Sequence, residues 1–223
     1  MLKFTKIVFV AVLMVFTMLS ANVGQCAKDQ TPKYGADKAI LAYAEVYAFG
    51  YSKDSKYIGL SKDDISEFER QVAAKFADDF KDFCLNEESL NELTDIYVKK
   101  FKSDMKIKTT FKEKSKETPV INLTANILNS ESFDNQAKND KKLQELRSSI
   151  LGMKNGGKTD AELMEDSAFQ EKAVDCITNF INALSINQKK TLSVKCKNIT
   201  GEDGKTYWTP EDPEVVMNFI QGK

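Results

Sequence analysis

Over about 70 residues after the N-terminal segment, apolar positions recur with the period of an α-helix. Apolar side chains fall at helical spacing in residues 37–51, and in residues 65–83 they recur every three or four positions. Ser61 precedes this second stripe with Asp64 three residues on, as in a capping box. A third helical stripe follows Asn86 and extends to about residue 102. The pattern predicts three consecutive helices.

After residue 105 the period changes to two. The alternating apolar and threonine positions of the first segment are Met105, Ile107, Thr109 and Phe111, and lysines occupy most positions between them. Residues 121–127 alternate in the same way. A charged connection separates the two segments, so they predict an antiparallel hairpin with one face on the core and one in water.

In the rest of the chain, helical periods are again followed by alternating segments. The helical period returns in residues 133–153 and 160–184, alternation returns in residues 191–199 and at Tyr207 and Trp208, and a short helix is predicted over residues 211–220. We therefore predict an α+β fold with the order ααα-ββ-αα-ββ-α, in which a roughly four-stranded antiparallel sheet packs against helices. No repeat or linker divides residues 35–223, which we predict to form a single domain.

The N-terminus has the organisation of a secretory signal peptide. Lys3 and Lys6 form a basic start, residues 7–19 are almost wholly apolar, and small and polar residues follow up to residue 26. A polar lead-in occupies residues 27–34. We predict an exported protein of the bacterial cell envelope or the extracellular space.

Three fates of this segment are compatible with the sequence. Ordinary cleavage is the first, and a lipid anchor on Cys26 is the second. Val23 and Gly24 suit a lipobox, but Gln25 stands where a small residue is expected. The third is a permanent membrane helix, which the short apolar run disfavours because a span needs roughly 20 apolar residues.

Composition narrows the classes of function. The chain has no histidine, so the usual general base and the commonest transition-metal ligand are missing. Residues 1–26 hold two of the 32 basic residues and none of the 33 acidic ones, which leaves a net charge of about −3 on the remainder. We predict no catalytic residue, no cofactor, no metal and no nucleic-acid partner. The only membrane contact that we predict is through an anchor at Cys26.

Three cysteines lie beyond the N-terminal segment. Cys84, Cys176 and Cys196 fall on the apolar faces of their predicted elements, which favours a structural disulfide or buried thiols over a reactive site. Export permits disulfides, and the pair with the shortest loop is Cys176 with Cys196. That pair is the predicted bridge, with free buried thiols as the alternative.

Two side-chain groups are candidates for a site. Tyr43, Tyr47 and Tyr51 lie one helical turn apart and predict an aromatic groove for a ligand, although core packing explains the same spacing. Carboxylates around a helix junction offer the only acid–base chemistry, and they include Asp82, Glu87 and Glu88. They fall mostly opposite the phenylalanine stripe, as on a solvated helix face.

Four features together support a resemblance: the predicted signal with Cys26 beside it, the early helices AILAYAEVYAFGYSKDSKYIGLSKDD, the charged α+β body, and the turn DGKTYW at residues 203–208. The chain resembles uncharacterised exported proteins and lipoproteins of Gram-positive-type bacteria that are grouped as domains of unknown function. Some of these are similar to cystatin-like or nuclear-transport-factor-like folds, which implies a curved sheet around a helix. The chain departs from them at Thr206, Tyr207 and Gln25, and it lacks the Q-x-V-x-G hairpin of cystatin inhibitors.

The leading hypothesis is a non-enzymatic envelope or secreted protein that binds a ligand or a protein partner in a groove between the sheet and the early helices. A carboxylate-dependent hydrolase acting on cell-wall polymers is the alternative enzyme class. A structural lipoprotein is the third hypothesis.

Overall fold

The computed structural model describes residues 35–128, 130–201 and 203–222. Within them, eight α-helices and one four-stranded antiparallel sheet form an α+β fold, which confirms the predicted fold class. The predicted signal peptide, Cys26 and the polar lead-in lie outside the described residues. No described helix is both long and apolar enough to cross a bilayer.

The first three helices are α1 (Ala36–Phe49), α2 (Lys62–Asp79) and α3 (Glu87–Met105). The predicted capping box at α2 is present, since the Ser61 hydroxyl accepts from the Asp64 backbone N–H and the Asp64 carboxylate accepts from that of Ser61. Local side-chain chemistry therefore sets where this helix begins.

The sheet has the order β1-β2-β3-β4, in which β1 is Lys108–Glu113, β2 is Val120–Ile127, β3 is Gln188–Thr200 and β4 is Thr206–Pro210. Every neighbouring pair is antiparallel. The long strand β3 pairs with β2 over its first half and with β4 over its second half.

The two long helices predicted between the hairpins are each divided in two. The four helices are α4 (Ser130–Asn139), α5 (Lys141–Asn155), α6 (Asp160–Glu165) and α7 (Ser167–Ala183). Asp140 and Asp166 cause the breaks, because each carboxylate accepts a backbone N–H three residues ahead and so starts a new helix. The last helix, α8, is Pro213–Ile220 and has its proline in the first turn, where no backbone donor is lost.

The start of the first strand also differs from the prediction. Met105 ends α3 instead of opening the strand, and Lys106 turns the chain in the left-handed conformation at φ 48°. Phe111 pairs with Ile121 across the sheet but is 38% exposed, because β1 is an edge strand that the helices leave uncovered here. The expectation that Phe111 packs in the core was wrong.

All three cysteines in the described residues are free thiols, so the predicted Cys176–Cys196 disulfide is not formed. Cys196 is buried in β3 opposite Pro210 of β4. Cys176 is half-buried on α7, where the charges of Asp140 and Glu145 reach it from the start of α5. The two thiols therefore lie among different neighbours, and the short loop between them in sequence does not bring them together.

Helix α1 occupies the centre of the fold. It contacts β1, β2, β4 and α8, and its buried residues include Ala39, Ile40 and Ala44 with no exposed surface. The small side chains allow close approach of the neighbouring elements. This helix carries two of the three predicted groove tyrosines, and its C-terminal half forms one wall of a pocket.

Candidate functional site

A pocket of about 30 Å³ lies between α1, α3 and the end of α8. Its lining is mostly apolar and aromatic and contains no charged side chain: Tyr47, Ala48, Tyr97, Phe101, Met105, Leu128, Ile220 and Gln221. A few polar groups on an apolar wall are typical of small-molecule sites.

Helix α3 supplies the aromatic wall of the pocket. Tyr97, Phe101 and Met105 lie four residues apart on its buried face, so they stack along one side of the helix. The rings of Tyr97 and Phe101 are stacked with centroids 4.1 Å apart, and Phe76 of α2 tilts against Tyr97 at 5.6 Å. This packing fixes the wall in place.

Gln221 is the unusual residue of the pocket. It follows α8 directly, is only 6% exposed, and its backbone N–H donates to the Met217 carbonyl. Both its side-chain nitrogen and its side-chain oxygen are buried without a hydrogen-bond partner among the described residues. Leaving buried polar groups unpaired costs roughly 1–3 kcal/mol per group, so this amide lowers the stability of the fold.

A second buried glutamine, Gln170, has a structural role, and its amide is fully hydrogen-bonded. The Gln170 amide nitrogen donates to the carbonyls of Cys84 and Leu163, both at 2.9 Å. Its oxygen accepts from the Asn86 backbone N–H at 3.0 Å. Gln170 is thus bonded through both ends of its amide, whereas Gln221 is bonded through neither among the described residues.

The two tyrosines of the pocket are held in the neutral form. Burial raises the pKa of Tyr47 well above its ordinary value, and the nearby phenol of Tyr43 adds to the shift. Burial also raises the pKa of Tyr97, and the negative charge of Asp79 raises it further. The pocket therefore presents two neutral phenols and one neutral amide.

The structure does not bring the three predicted groove tyrosines together. Tyr47 lines the pocket, with its ring centroid 6.1 Å from that of Tyr43. Tyr43 itself is buried and hydrogen-bonded to the Thr209 side chain, and burial raises its pKa to about 12.

Tyr51 lies on the surface, 40% exposed, with the Lys102 ammonium 5.0 Å from its ring centroid. Gly50 ends α1 in the left-handed conformation at φ 72°, so Tyr51 leaves the helical stripe. Ligand binding by these tyrosines stays a prediction, and of the three only Tyr47 lines the pocket.

The predicted carboxylates lie elsewhere and point into water. Glu87 and Glu88 are exposed in the first turn of α3, where negative charge interacts favourably with the helix dipole. Asp82 is exposed in the short 3₁₀ turn before that helix. Within the described ranges, no three histidine, cysteine or acidic side chains are grouped closely enough to hold a metal ion.

The site residues that the sequence did not reveal are Tyr97 and Gln221. Tyr97 falls on an apolar helical stripe, which predicts only that it packs inward. Gln221 follows the last helix near the end of the chain, a position that carries no signal of burial. Only tertiary packing shows that they share a pocket with Tyr47.

No known protein family, curated protein or solved structure matches the chain. The function is therefore inferred from the pocket and from the leader sequence.

Proposed function

We propose that the protein is an exported, non-enzymatic binding protein that holds the uncharged end group of a ligand in the pocket around Gln221. The buried and unpartnered amide of Gln221 is the observation that carries this proposal. The signal-like organisation of residues 1–26 supports export.

The chemistry of the pocket favours a neutral amide as the recognised group. The Gln221 side chain offers N–H donors and a carbonyl acceptor side by side. A ligand with an adjoining N–H and C=O can pair with both at once, while Phe101, Met105 and Ile220 contact its apolar part. A charged group would lose its hydration against a lining that has no opposite charge.

The size of the pocket limits what enters it. A volume of about 30 Å³ exceeds the roughly 10–15 Å³ that one water needs, so only a few atoms fit without rearrangement. The pocket therefore recognises the end of a ligand, and the remainder of that ligand lies at the pocket mouth.

Two probes of equal shape test this recognition. Butyramide carries a donor and an acceptor, whereas 2-pentanone has a methyl group in place of the amide nitrogen and accepts only. We expect butyramide to bind the wild-type protein about tenfold more tightly, because 2-pentanone leaves Oε1 of Gln221 unpaired. Dissociation constants are measured by NMR titration of the methyl and aromatic resonances of the pocket.

Gln221→Met keeps the side-chain volume and removes the amide, so it should abolish the preference for butyramide. Gln188→Met is the matched control, because Gln188 is exposed on β3 and lies outside the pocket. Equal affinity of the wild-type protein for both probes, or a preference that survives in Gln221→Met, would refute the proposal.

A further inference from the structure

The outward side of the sheet carries a concentration of positive charge. Strand alternation and register place four exposed lysines on this side, which we call the lysine face: Lys108, Lys112, Lys189 and Lys195. The face opposite to it holds Ile121, Leu123 and Val194 of the core.

The positive charge is confined to two segments, so the net charge of the chain does not reveal it. Residues 106–117 contain five lysines and two glutamates, and residues 188–200 contain four lysines and no acidic residue. These segments have a surplus of seven positive charges, whereas the whole chain has a formal net charge of −1. Negative charge therefore predominates in the rest of the molecule.

The lysine face holds one carboxylate, Glu113, which the register places across β2 from Lys195. None of its four ammonium groups lies within 4.0 Å of a carboxylate in the part of the chain that the structure describes. Elsewhere, Lys75, Lys100 and Lys154 each form an ion pair with an aspartate. The positive charges on β1 and β3 outnumber the single carboxylate between them, so this face has a positive potential that attracts an external anion.

Hydroxyl and amide side chains fill the space between the lysines. The hydroxyls of Thr124 and Thr191 lie 2.9 Å apart across β2 and β3. The Ser193 hydroxyl donates to Oδ1 of Asn122 at 3.0 Å and accepts from the Lys112 ammonium at 3.3 Å. The face is thus a connected polar surface rich in groups that hydrogen-bond to hydroxylated molecules.

The face also lacks the residues that two other anionic partners require. The exposed large apolar side chains among the described residues are Tyr51, Phe111, Leu151, Met164 and Val215. Only Phe111 belongs to the sheet, and it lies on the opposite side, paired with Ile121. Without exposed rings the face does not stack nucleic-acid bases, and without apolar side chains it does not insert into a bilayer.

We propose that the lysine face binds an extended acidic polysaccharide. The lysines of β1 and β3 flank β2, which carries no lysine, so they form two rows about 10 Å apart that an extended chain can follow. The hydroxyl and amide groups between them would bond to the sugar hydroxyls. This surface is independent of the Gln221 pocket, and either proposal stands if the other fails.

Heparin is the acidic polysaccharide for the test, and neutral dextran is its uncharged counterpart. The wild-type protein should bind heparin and not dextran. Lys108→Gln, Lys112→Gln and Lys195→Gln combined should weaken heparin binding at least tenfold. The slope of log affinity against log salt should fall by about 2, since each lost contact removes roughly 0.7–0.9.

The matched control variant is Lys53→Gln, Lys99→Gln and Lys141→Gln, which removes the same charge from exposed positions off the sheet. It should retain heparin affinity within about twofold, since electrostatic binding is local within a Debye length. Circular dichroism confirms the fold of both variants.

Three results would overturn the proposal. Equal losses in the two variants would show that net charge alone is responsible. Binding to phosphatidylglycerol vesicles without binding to heparin would assign the face to a membrane surface. Tighter binding of single-stranded DNA than of heparin, lost in the Lys108, Lys112 and Lys195 variant, would assign it to nucleic acid.

Discussion

Gln170 and Gln221 are both buried, yet only Gln170 has its amide bonded within the described chain. The difference lies in position. Gln170 faces a loop whose backbone N–H and C=O groups need hydrogen-bond partners, whereas Gln221 faces apolar side chains and two phenols. At the scale of single residues, an unpaired amide inside an otherwise ordinary core is the strongest sign of a binding role.

The buried tyrosines predict a specific alkaline behaviour. The pKa values of Tyr43, Tyr47 and Tyr97 are all raised by burial, to about 12 for Tyr43. In the unfolded chain these phenols ionise near the ordinary value of 10. Their contribution to stability is therefore complete below pH 10 and is lost as the pH rises from 10 toward 12.

Ultraviolet absorbance of tyrosinate measures this directly. At pH values just above 10, the folded protein should show fewer ionised tyrosines than the same protein in denaturant, out of seven in the chain. Tyr43→Phe should leave the early part of the folded titration unchanged. A folded-state titration that matches the denatured one would show that these phenols are not buried.

At the scale of elements, Gln170 ties the loop before α3 to helices α6 and α7. Its three hydrogen bonds join Cys84 and Asn86 to Leu163 across more than 75 positions of sequence. Cys84 is held in the left-handed conformation at φ 51°, which is uncommon for a residue other than glycine. The cross-link holds this turn in place ahead of α3, the helix that carries the aromatic wall of the pocket.

Gln170→Leu should therefore be strongly destabilising. It leaves two carbonyls and one N–H unpaired, and we expect a loss of about 3 kcal/mol in the free energy of unfolding. Gln188→Leu is the control at an exposed position of β3, where a change within about 0.5 kcal/mol is expected. Urea unfolding measures both, and equal small changes would show that the Gln170 bonds contribute little.

The sequence predicted these elements better than it predicted their junctions. Residues 65–83 and 121–127 predict a helix and a strand, because burying one face of each element requires apolar residues at its own period. The breaks at Asp140 and Asp166 were missed, since an aspartate inside an apolar helical pattern is also compatible with an exposed position in a continuous helix. Tyr51 and Phe111 were misplaced because periodicity does not show where an element ends or how far its neighbours extend.

For the whole molecule, the pocket and the lysine face depend on information that no local pattern holds. Tyr47 and Tyr97 lie on two helices and Gln221 follows a third, all separated by many residues, so only the packed core brings them together. The lysines of β1 and β3 were visible in the sequence, but the register of the sheet was needed to place them on one side. The net charge of the chain concealed this cluster.

The central claim is that Gln221 keeps an unpaired amide for a ligand, and the unfolding free energy of the ligand-free protein tests it most directly. Because Gln221→Met removes a buried amide that has no partner among the described residues, we predict that the variant is about 1–2 kcal/mol more stable than wild type in urea unfolding. The exposed Gln188→Met control should change stability by less than about 0.5 kcal/mol. A Gln221→Met variant that is less stable than wild type would contradict the claim, because the amide would then be bonded in the native protein.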